Sequence, residues 1–139
     1  MLDGVTYYND SIGTSPTRTI AGLRSFNQKL ILIAGGYDKH IPFDVLGPEV
    51  TAHVKLLVLC GATAEKIRAA VETAPDYRPG HPEILEVTPF RAAVEAARDR
   101  AVSGDVVTLS PACAAFDQFK NFAERGKTFK EIVNGWPEE

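Results

Sequence analysis

Three short stretches of this 139-residue chain carry the side chains best suited to chemistry, and each follows an apolar run. The first is Asn9-Asp10-Ser11-Ile12-Gly13-Thr14, after Val5-Thr6-Tyr7-Tyr8. A carboxylate at Asp10 suits a ribose hydroxyl or a metal-bound water, and equally suits a turn or cap. Ser11 and Thr14 add hydroxyls. The second is Gly35-Gly36-Tyr37-Asp38-Lys39-His40, after Lys29-Leu30-Ile31-Leu32-Ile33-Ala34. A glycine pair lets the backbone bend sharply and approach a ligand. Lys39 then offers a point charge to a carboxylate, or stands as a solvated surface lysine. His40 reads as surface.

The third stretch runs from Ser110 to Phe122, after Val106-Val107-Thr108-Leu109. Ser110-Pro111 ends the apolar run, and Ala112-Cys113-Ala114-Ala115 forms a small-residue turn. Phe116, Phe119 and Phe122 recur every third residue, which gives a short helix one aromatic side. Gly126 is expected to stop that helix. A strand that turns directly into a helix aims free backbone N–H groups over the sheet, a setting for a carboxylate or phosphate. Cys113 lies near that helix start, where thiolates are stabilised. A cysteine-dependent enzyme would rest on this residue alone. The three histidines (His40, His53, His81) form no arrangement that sequence can connect to it, so a buried thiol is the preferred reading.

Composition narrows the classes. Hydrophobic residues make up 45% and charged residues 24%, the mix of a globular domain. A net charge of −3 argues against nucleic acid as a partner, because phosphate binding needs clustered Lys and Arg. No apolar run approaches membrane-spanning length and no signal peptide is recognisable, so a cytoplasmic location is expected. Cys60 and Cys113 lie far apart, without CxxC or CxxH spacing, and no metal site is expected. No GxxxxGK run followed by Ser or Thr exists, and no GxGxxG. The chain therefore carries no nucleotide grip of its own.

The elements that must position the three stretches alternate. Strands are expected at Val5–Tyr8, Lys29–Ala34, Val54–Cys60, Glu83–Val87 and Val106–Leu109. Ser15 and Pro16 open a helix to about Phe26, with Ser15 as cap and Ile20 and Leu23 inward. A weaker helical pattern over Phe43–His53 is expected to be interrupted at Gly47-Pro48. Ala64–Thr73 is amphipathic on Ile67, Ala70 and Val71. Thr63 with Lys66 falls short of a capping box. Thr88 and Pro89 open a helix with Phe90, Ala93, Val94 and Ala97 inward, and a last helix spans Lys127–Asn134. The alternation predicts one α/β domain, a sandwich with a mostly parallel sheet of about six strands. Ligands of such sheets sit beyond the carboxyl ends of the strands, where all three stretches begin. Met1 to Gly4 reads as a clipped start.

Those stretches carry a family resemblance. Asn9 to Thr14 resembles the NDSKxTN turn of the Mur ligases. Ile33-Ala34-Gly35-Gly36-Tyr37-Asp38-Lys39 resembles their L-x-GG-x-D-K turn. Leu109 to Gly126, LSPACAAFDQFKNFAERG, is similar to their LSPACASFDxFKNFxxRG run at nearly every position. The likeness covers essentially the whole chain and is nearest to the D-glutamate-adding branch. It implies the C-terminal, amino-acid-binding domain, with a Rossmann-like three-layer fold over residues 1–139. The N-terminal UDP-sugar domain and the central ATP domain would lie outside this chain. The reaction implied is ATP-dependent addition of D-glutamate to UDP-MurNAc-L-alanine through an acyl phosphate, in peptidoglycan synthesis. ATP and Mg2+ would belong to the full-length enzyme, with none held by this domain alone. The isolated domain is then expected to be inactive.

Carried over by position, the resemblance assigns Thr14 and Lys39 to the α-carboxylate of D-glutamate. It assigns the backbone N–H of Phe122 to the γ-carboxylate, and Asp10 to the nucleotide side of the cleft. No residue of the chain is assigned a catalytic role. Two positions depart from the family pattern: Ile12 replaces a lysine, and Ala115 replaces a serine that binds the γ-carboxylate. Two other readings compete. One is the equivalent domain of a Mur ligase with another amino-acid specificity; the other is a stand-alone α/β module that binds an acidic metabolite.

Overall fold

The computed structural model describes residues 4–9, 16–26, 28–36, 43–61, 63–75, 77–78, 80, 82–87, 90–110 and 122–135; for Pro16, Thr17 and Phe122 it describes the backbone alone. In chain order the elements are β1 (Thr6–Asn9), α1 (Pro16–Leu23), β2 (Leu30–Ala34), α2 (Leu46–His53), β3 (Val54–Leu59), α3 (Ala64–Glu72), β4 (Glu83–Glu86), α4 (Phe90–Arg100), β5 (Val106–Leu109) and α5 (Phe122–Asn134). The strands form one sheet in the order β1-β5-β2-β3-β4. Every pairing is parallel. Five strands are present among the described residues, against the expected six or so.

The inner strands are apolar because both of their faces are covered. All five residues of β2 are buried, and β3 exposes only Lys55. One face carries Leu30, Leu32, Ala34, Leu57 and Leu59 under Leu23 of α1, Leu46 and Val50 of α2, and Ile67 and Val71 of α3. The other carries Ile31, Ile33, Val58, Val107 and Leu109 under Phe90, Ala93 and Val94 of α4, and Phe129 and Ile132 of α5. The split follows from crossover handedness. From β1 to β4 the chain advances in one direction across the sheet, so right-handed crossovers put α1, α2 and α3 on one face. From β4 it returns to insert β5 between β1 and β2, and α4 takes the opposite face.

Two helices differ from the sequence expectation. Gly47-Pro48 does not interrupt α2; it lies in the first turn, where an N–H missing from proline has no intrahelical partner to lose. Gly47 has its own reason. A Cβ there would meet the Ala70 carbonyl oxygen at 2.3 Å, so α2 crosses α3 at a spacing that only glycine permits. Gly126 does not stop a helix either, since α5 runs through it from Phe122 to Asn134. The Gly126 carbonyl accepts a hydrogen bond from the Asn9 side-chain amide at 3.1 Å. Three residues on, Phe129 begins the buried stripe with Ile132 and Val133. Burial of that stripe outweighs the roughly 1 kcal/mol that glycine costs a helix interior.

Candidate functional site

The three chemically loaded stretches leave the sheet side by side. Asn9 ends β1, Leu109 ends β5, and the two are register partners. Leu109 is also the register partner of Ile33 of β2. Residues 9, 109 and 33 therefore line up across three adjacent strands, although 100 sequence positions separate the first two by number. The next helices diverge: α1 and α2 lie on one face, α5 on the other. Adjacent strands whose connections go to opposite faces leave a crevice at their carboxyl ends. The β5 turn is flanked by two such places, one toward β1 and one toward β2.

Each root is held by a neutral polar contact. At β1, Asn9 Nδ2 donates to the Gly126 carbonyl of α5 at 3.1 Å. At β5, the buried Ser110 hydroxyl donates to Thr19 Oγ1 of α1 at 3.1 Å, and Thr19 Oγ1 donates to the Ser110 carbonyl at 3.2 Å. The Ser110 N–H continues the ladder to the Ile33 carbonyl at 3.2 Å. At β2, the Gly36 N–H donates to Thr63 Oγ1 at 3.0 Å. Gly35, with φ of +115°, packs so close to β3 that a Cβ would meet the Cys60 carbonyl oxygen at 1.9 Å. Cys60 itself is a buried thiol.

Asp10, Ser11, Ile12, Thr14, Lys39, His40, Cys113, Ala115, Phe116 and Phe119 lie outside the described residues. Ser15 and the Thr88-Pro89 pair do too. Phe122 is described in its backbone and forms the first residue of α5. Sequence reasoning missed the holding residues. Thr19 had a readable signal, a polar residue beside Ile20 and Leu23 on the inward stripe of α1. Thr63 was read only as a weak cap. Arg125, within the first turn of α5, is just 2% exposed. Among the described residues no group of three His, Cys, Asp or Glu could hold a metal ion. No helix among them is long and apolar enough to cross a membrane.

Comparison with known proteins points one way. The family described as "Mur ligase, glutamate ligase domain" matches residues 1–113. The UDP-N-acetylmuramoylalanine--D-glutamate ligase of Clostridium kluyveri is 55% identical over 133 residues, covering 96% of this chain and 29% of the relative. The protein of the same name from Acetivibrio thermocellus is 56% identical over 135 residues, with the same two coverages. The chain thus spans under a third of the length of these relatives. A solved UDP-N-acetylmuramoyl-L-alanyl-D-glutamate--2,6-diaminopimelate ligase superposes with a TM-score of 0.61 at 14% identity, over 98% of this chain and 31% of that one. At that identity the likeness speaks for the fold.

Proposed function

The chain belongs to the Mur ligase family, in its glutamate ligase domain, and from that premise we propose that it is the amino-acid-binding part of a ligase that joins D-glutamate to UDP-MurNAc-L-alanine in peptidoglycan synthesis. The observation that carries this reading is the register of Asn9, Leu109 and Ile33, which roots all three loaded turns on adjacent strands at one edge. A dicarboxylic amino acid needs one ammonium together with fixed hydroxyl and amide donors. Lys39 and Thr14 would hold its α-carboxylate. The N–H of Phe122 would take the γ-carboxylate, at the start of a 13-residue helix whose dipole favours an anion. Ala115, at the position where the family has a serine, would offer the γ-carboxylate no hydroxyl. Asp10 would face the nucleotide.

The work of this half-site is orientation: it holds the D-glutamate amine where it can attack the activated carboxyl carbon of the muramoyl-alanine partner. The rest of the protein would supply the UDP-sugar site, the ATP phosphates and Mg2+, in keeping with the missing phosphate loop here. Such an enzyme works in the cytoplasm.

Kinetics of the complete ligase test the assignment. Lys39→Ala is expected to raise the KM for D-glutamate by about tenfold or more, the loss of a charge-assisted contact. An unchanged KM would remove Lys39 from the site. NMR titration of the chain with D-glutamate, L-glutamate and D-aspartate gives the chemical selectivity. Shifts common to all three amino acids would speak for a generic acidic-metabolite module instead.

A further inference from the structure

Thr63 occupies the N-cap position of α3, yet its side chain caps nothing in that helix. Threonine at an N-cap normally accepts from an N–H two or three residues ahead. Here the hydroxyl oxygen instead accepts the N–H of Gly36, 27 residues away and on a different strand connection, at 3.0 Å. The residue is fully buried, at 0% exposure. Its backbone is still used in the ordinary way, since the Thr63 carbonyl accepts from Ile67 at 3.0 Å. Only the side chain is diverted.

The diversion meets a specific need. Gly35 and Gly36 leave the end of β2 with φ of +115° and +155°. Glycines have wide conformational freedom, so a pair of them sets no exit direction unaided. Contact with the Cys60 carbonyl limits Gly35 on one side. The hydroxyl of Thr63 fixes the N–H of Gly36, three positions before Lys39 in the sequence. Two neighbouring points of the β3–α3 connection, Cys60 and Thr63, therefore fix the pair.

We propose that Thr63 is a positioning residue for the amino-acid site: by holding the Gly36 N–H it fixes the backbone at the end of β2, three positions ahead of Lys39 in the sequence. It touches no substrate and acts through the backbone. This inference rests on the reading of Lys39 as a carboxylate-binding residue.

The test uses Thr63→Val, which keeps shape and loses the acceptor, Thr63→Ser, which restores it, and Lys39→Ala. In the chain itself, amide hydrogen exchange at Gly36 is expected to quicken about fivefold or more in the valine variant and to return toward wild type in the serine variant. Unchanged exchange in Thr63→Val overturns the proposal. In the complete ligase, the valine variant is expected to raise the KM for D-glutamate about three- to tenfold while kcat stays within about twofold, with rescue by serine. A loss of stability alone would not produce that split. If Lys39→Ala raises KM and Thr63→Val does not, positioning by Thr63 is wrong. If Lys39→Ala leaves KM unchanged while Gly36 exchange responds to Thr63, the site reading fails and the backbone clamp stands.

Discussion

At the amino end of the sheet, the Lys55 ammonium pairs with the Asp105 carboxylate, whose second oxygen accepts the Val102 N–H at 2.9 Å. Gln28 donates to the Gly104 carbonyl at 3.0 Å, and the Gly104 N–H donates to the Gly4 carbonyl at 2.8 Å. At the carboxyl end, the contacts that hold the strand roots are hydroxyls and amides: Asn9 on Gly126, Ser110 with Thr19, and Gly36 on Thr63. The amino end uses an ion pair to close itself. These three carboxyl-end clamps are neutral.

The strongest way to break this contrast is at Gly35. Alanine there would need a left-handed φ and would drive its Cβ to 1.9 Å from the Cys60 carbonyl oxygen. Both effects are backbone effects that no rotamer relieves. Gly35→Ala is expected to cost about 3 kcal/mol or more. Thermal unfolding would show it as a large fall in Tm or a failure to accumulate folded protein. A Tm within a few degrees of wild type would mean that the β2 exit is far softer than its packing against β3 implies.

Next comes the amino end. Asp105 is 7% exposed and anchors both Lys55 and the Val102 N–H. Asp105→Ala is expected to lower stability by about 1–3 kcal/mol, since charged hydrogen bonds are lost while Lys55 remains partly solvated. The same variant is expected to leave D-glutamate binding unchanged, because the closure lies at the far end of the strands from the proposed site. A shift in amino-acid affinity without unfolding would show that the two ends are coupled, and the contrast between them would fail.

How much of this was legible follows from the same physics. Leu30–Ala34, Val54–Leu59 and Val106–Leu109 could be read as strands because parallel strands covered on both faces are continuous apolar runs. Their order could not be read. Nothing local in Val106-Val107-Thr108-Leu109 says that it inserts between β1 and β2. The helix through Gly126 was hidden for a related reason: glycine reads as a stop unless the burial of Phe129, Ile132 and Val133 is known. Gly47-Pro48 read as an interruption because its place in a first turn depends on where α2 starts. The proposed site was visible only as residue types that follow strands. The clamps beneath it were not, because Thr19 meets Ser110 across 91 positions and Thr63 meets Gly36 across 27.

The smallest expected effect comes from a pair that serves neither end. Between the turn that follows α1 and the side of α2, Arg24 Nε donates to Glu49 Oε1 at 2.6 Å, and His53 Nε2 lies 4.0 Å from the same oxygen. The hydrogen bond from Arg24 holds the Glu49 carboxyl below its usual range, against a smaller opposing push from burial. A carboxyl whose folded pKa is depressed contributes stability that is fully present above its unfolded pKa. That contribution fades as pH falls through the usual glutamate range and is gone below the folded value. Glu49→Gln is therefore expected to flatten the acid limb of the stability profile slightly and to change nothing at neutral pH beyond the loss of the pair. Exposed pairs of this kind are screened, so 0.5 M salt should remove most of the difference. Denaturant midpoints taken from pH 3 to 7 at low and high salt would read this directly. An acid limb unchanged by Glu49→Gln at low salt would mean that Arg24 is held by solvent rather than by Glu49. Arg24 and Glu49 would then add nothing to the fold, in contrast to the Lys55–Asp105 pair at the amino end of the sheet.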